Sequence, residues 1–183
     1  MGDSIIILDR DGVINIDSAD YIKSAEEWMP IPGSILAIAR LFQAGFKIYV
    51  ATNQAGLARQ KFSQKDLDAM HRKLIRLVSD AGGRIEQIFY CPHHPEADCA
   101  CRKPRPGLIE QIRQYHSSPI ATISFVGDSV KDIEAAINGN CQPVLVLTGN
   151  GQATLETLLQ RGMALEVFAD LAQFADARVN NRA

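Results

Sequence analysis

Hydrophobic residues follow two alternating patterns along the chain. Short apolar runs rich in β-branched residues, such as 5–8 and 144–147, predict buried parallel strands. Longer segments with apolar residues every three or four positions predict amphipathic helices, and the clearest covers 63–81. Ser63 with Asp66 resembles a capping box at the start of that helix, and Gly82 marks its end. Strands and helices therefore alternate from one end of the chain to the other.

This alternation predicts one α/β domain over residues 1–183, a three-layer, Rossmann-like parallel sheet with helices on both faces. In such a sheet, ligands bind beyond the carboxyl ends of the strands. The predicted strands are 5–8, 46–51, 85–90, 122–126, 144–147 and 166–168. The predicted helices are 34–43, 63–81, 107–115 and 130–138, one that follows a loop at 148–151 and ends at about 160, and one that starts at Leu171.

Composition and charge narrow the class of protein. The 183 residues carry a net charge of −2, so general nucleic-acid binding is not expected. No apolar run approaches the ~20 residues of a membrane helix. The N-terminal residues lack the basic region of a signal peptide, which makes a cytoplasmic location the expectation. No exposed heptad seam is visible, and a monomer is therefore expected.

Polar side chains cluster where four of the predicted strands end, or in the segment that follows. Two carboxylates directly after the first strand repel each other, and both ionise only with a cation between them. Carboxylate oxygens suit Mg²⁺, and an ammonium group suits a phosphate oxygen. A carboxylate nucleophile, a metal and an ammonium together indicate phosphoryl transfer. The residues concerned are Asp9 and Asp11, Thr52 and Asn53, Arg102 and Lys103, and Asp128.

These segments resemble the four ordered motifs of the haloacid dehalogenase superfamily. The motifs are Asp9-x-Asp11-Gly12, Thr52, Lys103 and Gly127-Asp128-x3-Asp132. The resemblance implies that Asp9 attacks phosphorus and that Asp11 serves as general acid and then general base. It also implies that Thr52 and Lys103 stabilise the phosphoryl group, and that Asp132 orients Lys103 or supports the metal. Mg²⁺ would be bound by Asp9, Asp11 and Asp128.

Enzymes of this superfamily often carry a cap domain over the active site. The interval between Gly12 and the second strand holds only a short loop and one helix. The interval before Lys103 holds one helix, one strand and a proline-rich loop. Neither leaves room for a separate folded unit, so a capless enzyme is predicted.

The proline-rich loop at about 91–106 carries a cluster of metal-binding residue types. Cys91, His93, Cys99 and Cys101 match a closed, tetrahedral, structural zinc site. His94 in place of His93, or free cysteines without a metal, are the alternatives. Because Arg102 and Lys103 follow the last ligand directly, we expect zinc to preorganise both cations.

This loop also resembles that of the D-glycero-D-manno-heptose 1,7-bisphosphate 7-phosphatase family. The resemblance implies removal of the C7 phosphate of a sugar phosphate during ADP-heptose and lipopolysaccharide core synthesis. The gap between His93 and Cys99 is shorter than in many members of that family, which leaves the anomer open. The residues implied to line the substrate site are Asp17, Ser18, Ala19, Asp20, Asn53, Gln54, Arg102 and Ser129.

Two other functions compete with this interpretation. The first is a histidinol-phosphate phosphatase of the same fold, and the second is a non-enzymatic zinc-loop interaction module.

Outside the motifs, His71 and His116 are expected to be solvated side chains. Trp28 is expected to be a packing anchor, and Cys141 a small core residue.

Overall fold

One parallel sheet of six strands organises residues 2–181, which the computed structural model describes. The strand order is β3-β2-β1-β4-β5-β6. The strands are β1 (Asp3–Leu8), β2 (Lys47–Asn53), β3 (Gln87–Cys91), β4 (Ile120–Gly127), β5 (Gln142–Val146) and β6 (Glu166–Phe168).

Helices cover both faces of this sheet, which confirms the predicted three-layer fold. Strand β1 shows why: Ile6 and Leu8 face the core beneath α1, α3 and α7, whereas Ile5 and Ile7 face the core beneath α4 and α5. Successive strand residues point to opposite faces, so a continuous apolar run is buried on both sides. The helices are α1 (Ser34–Gln43), α2 (Ala55–Ala58), α3 (Gln64–Asp80), α4 (Gly107–Tyr115), α5 (Val130–Asn138), α6 (Gly151–Gln160) and α7 (Leu171–Asn180).

The strand order reverses direction beside β1. From β1 the chain builds outward through β2 and β3, then returns to the other side of β1 for β4, β5 and β6. The carboxyl ends of β1 and β4 therefore border a crevice at the point where the order switches, which is where open α/β sheets bind ligands. Asp9 follows β1 and Asp128 follows β4 at this crevice.

The two predicted cap insertion points hold no extra domain within residues 2–181. Only a loop and α1 lie between β1 and β2, and only α2, α3 and β3 lie between β2 and Lys103. This confirms the capless fold. None of the helices in the described part of the chain is both long enough and apolar enough to cross a membrane.

Most predicted elements are present, with boundaries that differ by a few residues. Strand β2 continues to Asn53 because its last residues still pair with β3, as Asn53 does with Cys91. Strand β4 starts at Ile120, earlier than predicted. The short helix α2 was not predicted, because four residues are too few to show an apolar period.

Two histidines were expected to be solvated, and that expectation was wrong. His71 lies on the inner side of α3 and is only 9% exposed. The His116 side chain is buried at the end of α4, where its Nδ1 lies 3.0 Å from the Tyr49 hydroxyl. The other two expectations were correct, since Trp28 is fully buried and Cys141 lies in the core.

We predict that Ser63→Ala destabilises the fold without affecting the carboxyl end of the sheet. The Ser63 hydroxyl accepts from the Asp66 amide, and the Asp66 carboxylate accepts from the Ser63 amide. Loss of this cap should lower the free energy of unfolding by about 1 kcal/mol in urea titration. Ser79→Ala, at an exposed position in the last turn of α3, is the matched control and should cost nothing. Equal losses in both variants would contradict the capping role.

Candidate active site

A cavity of about 510 Å³ opens at the carboxyl ends of the strands. It brings together all but one of the residues predicted for the catalytic and substrate sites. Those that line it are Asp9, Asp11, Asp17, Ser18, Ala19, Thr52, Asn53, Gln54, Arg102, Lys103, Asp128 and Ser129.

Asp20 is the exception among the predicted substrate residues. Its carboxylate is 68% exposed and pairs with Lys23 at 2.6 Å and with Lys61 at 3.5 Å. The turn that places Asp17, Ser18 and Ala19 along the cavity directs Asp20 towards these two lysines on the outer surface. The structure therefore does not place Asp20 in the cavity.

The ammonium group of Lys103 lies between two carboxylates. Its Nζ is 2.8 Å from Asp9 Oδ1 and 2.6 Å from Asp132 Oδ1, and it donates to the Ala51 carbonyl at 2.9 Å. The side chain is only 3% exposed. Burial alone would lower the pKa of Lys103, but Asp132 and Asp9 outweigh it and raise that pKa. Lys103 therefore remains a cation with no bulk water around it.

Two side chains that were predicted to bind substrate also support Lys103. Asn53 accepts from the Lys103 amide at 3.1 Å and donates to the Lys103 carbonyl at 3.2 Å. The Ser129 amide and hydroxyl both donate to Asp132 Oδ2, at 3.0 and 2.7 Å. Asn53 thus fixes the backbone of Lys103, and Ser129 fixes the carboxylate that orients its ammonium.

Asp128 is held at the crevice by the loop that follows β5. Its Oδ2 accepts from the Asn150 amide at 2.7 Å and from Asn150 Nδ2 at 3.2 Å. Gly12 and Gly149 both have positive φ, and a Cβ on either would lie 2.2 Å from Asp128 Oδ2. Asn150 was missed as a site residue, because the sequence of this loop indicates only a turn.

Asp9, Asp128 and Asp132 form a cluster of carboxylates whose nearest oxygens lie within 4.8 Å of one another. Burial, then Asp132 and Asp128, raise the pKa of Asp9 well above its usual value despite Lys103. Burial, with Asp132 adding to it and Asn150 opposing it, raises the pKa of Asp128 to about 6. Lys103 and Ser129 occupy both oxygens of Asp132, whereas Oδ2 of Asp9 and Oδ1 of Asp128 have no hydrogen bond within residues 2–181. Asp9 and Asp128 are therefore the pair that fits a cation such as Mg²⁺.

The Asp11 carboxylate does not join this cluster, contrary to the expectation that both carboxylates of the Asp-x-Asp motif face one cation. The backbone turns after Asp9 instead of staying extended, and the Arg10 carbonyl accepts from the amides of Ile14 and Asn15. Asp11 Oδ1 therefore accepts from Asn15 Nδ2 at 2.9 Å, on the far side of the turn. Asp11 can therefore contribute a metal ligand only through its main-chain carbonyl oxygen.

Arg10 and Gln54 hold the Asp11 carboxylate. Arg10 Nη2 donates to both carboxylate oxygens at 3.0 Å, and Gln54 Nε2 donates to Oδ2 at 2.9 Å. Burial would raise the pKa of Asp11, but Arg10 and the hydrogen bonds from Asn15 and Gln54 hold it below its usual value. Gln54 Nε2 also lies 2.9 Å from the Thr52 hydroxyl, so the same amide links Asp11 to Thr52.

Arg10 and His71 are functional candidates that the sequence analysis missed. The Arg10 side chain is almost fully buried, and its Nη1 lies 3.3 Å from Nε2 of His71. Burial and the Arg10 charge lower the pKa of His71 to about 3, although Asp11 and Asp68 oppose this. The only available signal was that an arginine stands inside the Asp-x-Asp motif.

The predicted zinc ligands converge in the loop after β3. Cys91 Sγ lies 3.6 Å from both His93 Nδ1 and Cys99 Sγ, and His93 Nδ1 lies 3.2 Å from Cys101 Sγ. All four ligand atoms lie within 4.8 Å of one another. Burial and the neighbouring Cys91 raise the pKa of Cys101 to about 12, as expected for thiols crowded without a cation.

Comparisons with known proteins identify the family to which this chain belongs. A family model described as HAD-hydrolase-like matches residues 100–174. The chain is 52% identical over 177 residues to the D-glycero-beta-D-manno-heptose-1,7-bisphosphate 7-phosphatase of Pseudomonas aeruginosa, covering 97% of this chain and 98% of that protein. It is 36% identical over 176 residues to the Escherichia coli protein of the same name, covering 92% and 91%.

A solved structure shares the whole fold. It is the D,D-heptose 1,7-bisphosphate phosphatase of Bordetella bronchiseptica, complexed with magnesium and phosphate. Its TM-score is 0.91 at 45% identity, with 97% of this chain and 99% of that chain covered. The fold and site thus define a capless hydrolase of the haloacid dehalogenase class. Within that class, the chain belongs to the D-glycero-beta-D-manno-heptose-1,7-bisphosphate 7-phosphatase family of phosphoric monoester hydrolases.

We predict that His71 makes the protein sensitive to mild acid. Its folded-state pKa is about 3, whereas an unfolded chain binds the proton near pH 6.5. The contribution of neutral His71 to the unfolding free energy is therefore complete above pH 6.5. It is lost as the pH falls below that value, because the unfolded state takes up the proton first. Between pH 7.5 and 5 this should remove up to about 2 kcal/mol of unfolding free energy.

Urea titration of the wild type and His71→Phe at both pH values measures this loss. The variant should lose less stability than the wild type over the same interval, since it has no group to protonate at this position. The same loss in both proteins would show that His71 is not responsible.

Proposed function

We propose that this protein removes the C7 phosphate of D-glycero-β-D-manno-heptose 1,7-bisphosphate through an aspartyl-phosphate on Asp9, with Mg²⁺ as cofactor. The observation that carries the proposal is the position of Asp9, which lies 2.8 Å from Lys103 Nζ and within 4.8 Å of a carboxylate oxygen of Asp128. The substrate and the β anomer are those in the names of relatives that match over nearly their full length. The products are the heptose 1-phosphate and inorganic phosphate.

In the first step, a carboxylate oxygen of Asp9 forms a bond to phosphorus while the bond from phosphorus to the C7 oxygen breaks. Lys103 and the Thr52 hydroxyl stabilise the negative charge of the transferring group. Asp11, whose carboxylate is 21% exposed to the cavity, gives the departing oxygen its proton after taking one up from solvent.

In the second step, Asp11 takes a proton from a water molecule, whose oxygen attacks the phosphorus. The bond between Asp9 and phosphorus breaks, which releases inorganic phosphate and restores the Asp9 carboxylate. Mg²⁺, held by the carboxylates of Asp9 and Asp128 and by the Asp11 carbonyl, supplies positive charge that lowers the repulsion between anionic nucleophile and substrate.

Arg102 is the residue best suited to recognise the rest of the substrate. It lines the cavity next to Lys103, and its Nη1 is buried without a hydrogen-bond partner among the described residues. A buried donor without a partner is costly, and a phosphate or hydroxyl oxygen of the substrate would satisfy it. Asp17, Ser18 and Ala19 line the same cavity.

The zinc is proposed to be structural. Three thiolates and one imidazole leave no open position for substrate on a tetrahedral ion. Cys101 is followed directly by Arg102 and Lys103, so fixing its sulfur restricts where both cations can lie. The metal would also stabilise a loop that has little regular secondary structure.

Asp9→Asn should abolish turnover while the protein remains folded. The amide has nearly the same size as the carboxylate but is a far weaker nucleophile. We expect kcat to fall by at least about a thousandfold in a phosphate-release assay, with thermal unfolding still cooperative. Residual activity close to that of the wild type would exclude the aspartyl mechanism.

A substrate panel tests the proposed specificity. It contains both anomers of the heptose 1,7-bisphosphate, fructose 1,6-bisphosphate and histidinol phosphate, each assayed with Mg²⁺. We expect kcat/KM for the β anomer to exceed the values for fructose 1,6-bisphosphate and histidinol phosphate by about a hundredfold or more, and to exceed that for the α anomer. A preference for histidinol phosphate would be consistent with the mechanism but would contradict the proposed substrate. If no compound is hydrolysed, the non-enzymatic interpretation is favoured.

Zinc content distinguishes His93 from His94 as the fourth ligand. His93→Ala should lose most of the bound zinc in elemental analysis and unfold at a lower temperature, because only three thiolates remain. His94→Ala is the matched control, since His94 lies outside the ligand cluster and contacts Glu96 at 3.7 Å. Full zinc retention in His93→Ala, or loss in His94→Ala, would contradict the assignment.

A further inference from the structure

His71 lies beneath the catalytic turn without lining its cavity. It projects from the inner face of α3, with its ring 5.7 Å from that of Tyr90. Its Nε2 lies 3.3 Å from Arg10 Nη1. No residue of the Asp-x-Asp motif other than Arg10 has a hydrogen bond to it within residues 2–181.

The contact with Arg10 fixes the protonation of the imidazole ring. A guanidinium group only donates hydrogen bonds, so Nε2 of His71 must be the acceptor and any ring proton must sit on Nδ1. A doubly protonated ring would place two cations in contact. Burial and the Arg10 charge lower the pKa of His71 to about 3, which agrees with a neutral ring.

Arg10 links His71 to Asp11, the proposed general acid. Its planar group touches His71 through Nη1, while Nε and Nη2 donate to Asp11 and Nη2 also donates to Gln54 at 3.1 Å. A guanidinium group is rigid, so fixing one edge fixes the direction of the other. Gln54 continues the chain of contacts to the Thr52 hydroxyl.

We propose that His71 is a positioning residue that, through Arg10, holds the Asp11 carboxylate where it exchanges a proton with the departing oxygen. The inference rests on the proposed function only in taking Asp11 as the general acid. His71 itself touches neither substrate nor metal. Without its acceptor nitrogen, Arg10 keeps its charge and its bonds to Asp11 and Gln54 but loses the contact on the opposite edge of its guanidinium group. Asp11 is then held less firmly, by Asn15, Gln54 and an arginine that is free to tilt.

A comparison of leaving groups tests this role, because a structural defect and a proton-transfer defect affect them differently. An alkoxide departs only when protonated, whereas p-nitrophenolate departs readily without a proton. The quantity compared is kcat/KM, which covers the steps up to departure of the leaving group. The substrates are the preferred sugar phosphate and p-nitrophenyl phosphate.

His71→Phe keeps an aromatic ring beside Tyr90 but removes the acceptor. We expect its kcat/KM for the sugar phosphate to fall about tenfold, and that for p-nitrophenyl phosphate to stay within about twofold. His71→Gln, whose amide oxygen can accept from Arg10, should recover most of the loss. Tyr90→Phe is the matched control, since it keeps the ring against His71 and removes only a hydroxyl that donates to Gln64; both values should be unchanged.

An equal fall for both substrates in folded His71→Phe, or no fall for the sugar phosphate, would overturn the proposal. Should the phenylalanine variant fail to fold, His71→Leu replaces it in the same comparison. Failure of the proposed function is separately visible, because it appears as a different substrate preference in the wild type. The comparison then uses whichever alkyl phosphate the wild type hydrolyses best.

Discussion

The site depends on one buried ammonium group between two carboxylates. Lys103 joins Asp9, which follows β1, to Asp132 in the first turn of α5, and its backbone is tied to Asn53 at the end of β2. Breaking such a buried pair by removing one partner typically costs about 3–5 kcal/mol, since the remaining charge has no solvent. The end of β1, the start of α5 and the end of β2 are therefore fixed relative to each other without substrate. The Lys103 cation also lies beside the nucleophile Asp9 before substrate binds.

The charges that surround this pair explain why a divalent metal fits. Within residues 2–181, the carboxylates of Asp9, Asp11, Asp128 and Asp132 form ion pairs with only two cations, Lys103 and Arg10, and Asp128 has no ion pair at all. Arg10 neutralises the general acid at a distance from the nucleophile, and Lys103 is shared by two carboxylates. Burial first, and then the neighbouring carboxylates, raise the pKa values of Asp9 and Asp128, and a divalent cation between them would relieve both effects. Asp11, the proposed general acid, is thus kept apart from Asp9 and Asp128, the proposed metal ligands.

Sequence patterns were sufficient for the fold and for most of the site. Apolar periodicity predicts α3, and proline and glycine at helix ends predict others such as α1 and α4. Side chains at neighbouring strand ends converge because parallel strands end at one edge of the sheet. Directions of side chains were harder to foresee. The turn after Asp9 directs Asp11 away from Asp128, and this depends on hydrogen bonds to the Arg10 carbonyl that no spacing rule reveals. His71 was misjudged because its polar character suggested solvent, whereas its partner is an arginine sixty-one positions away.

The stereochemical course at phosphorus tests the central claim most directly. Hydrolysis of an isotopically chiral phosphorothioate ester in labelled water distinguishes two successive in-line displacements from one. Transfer through Asp9 inverts the configuration twice, so the account predicts overall retention. Overall inversion would mean that water attacks the substrate directly, and Asp9 would then be a metal ligand rather than the nucleophile.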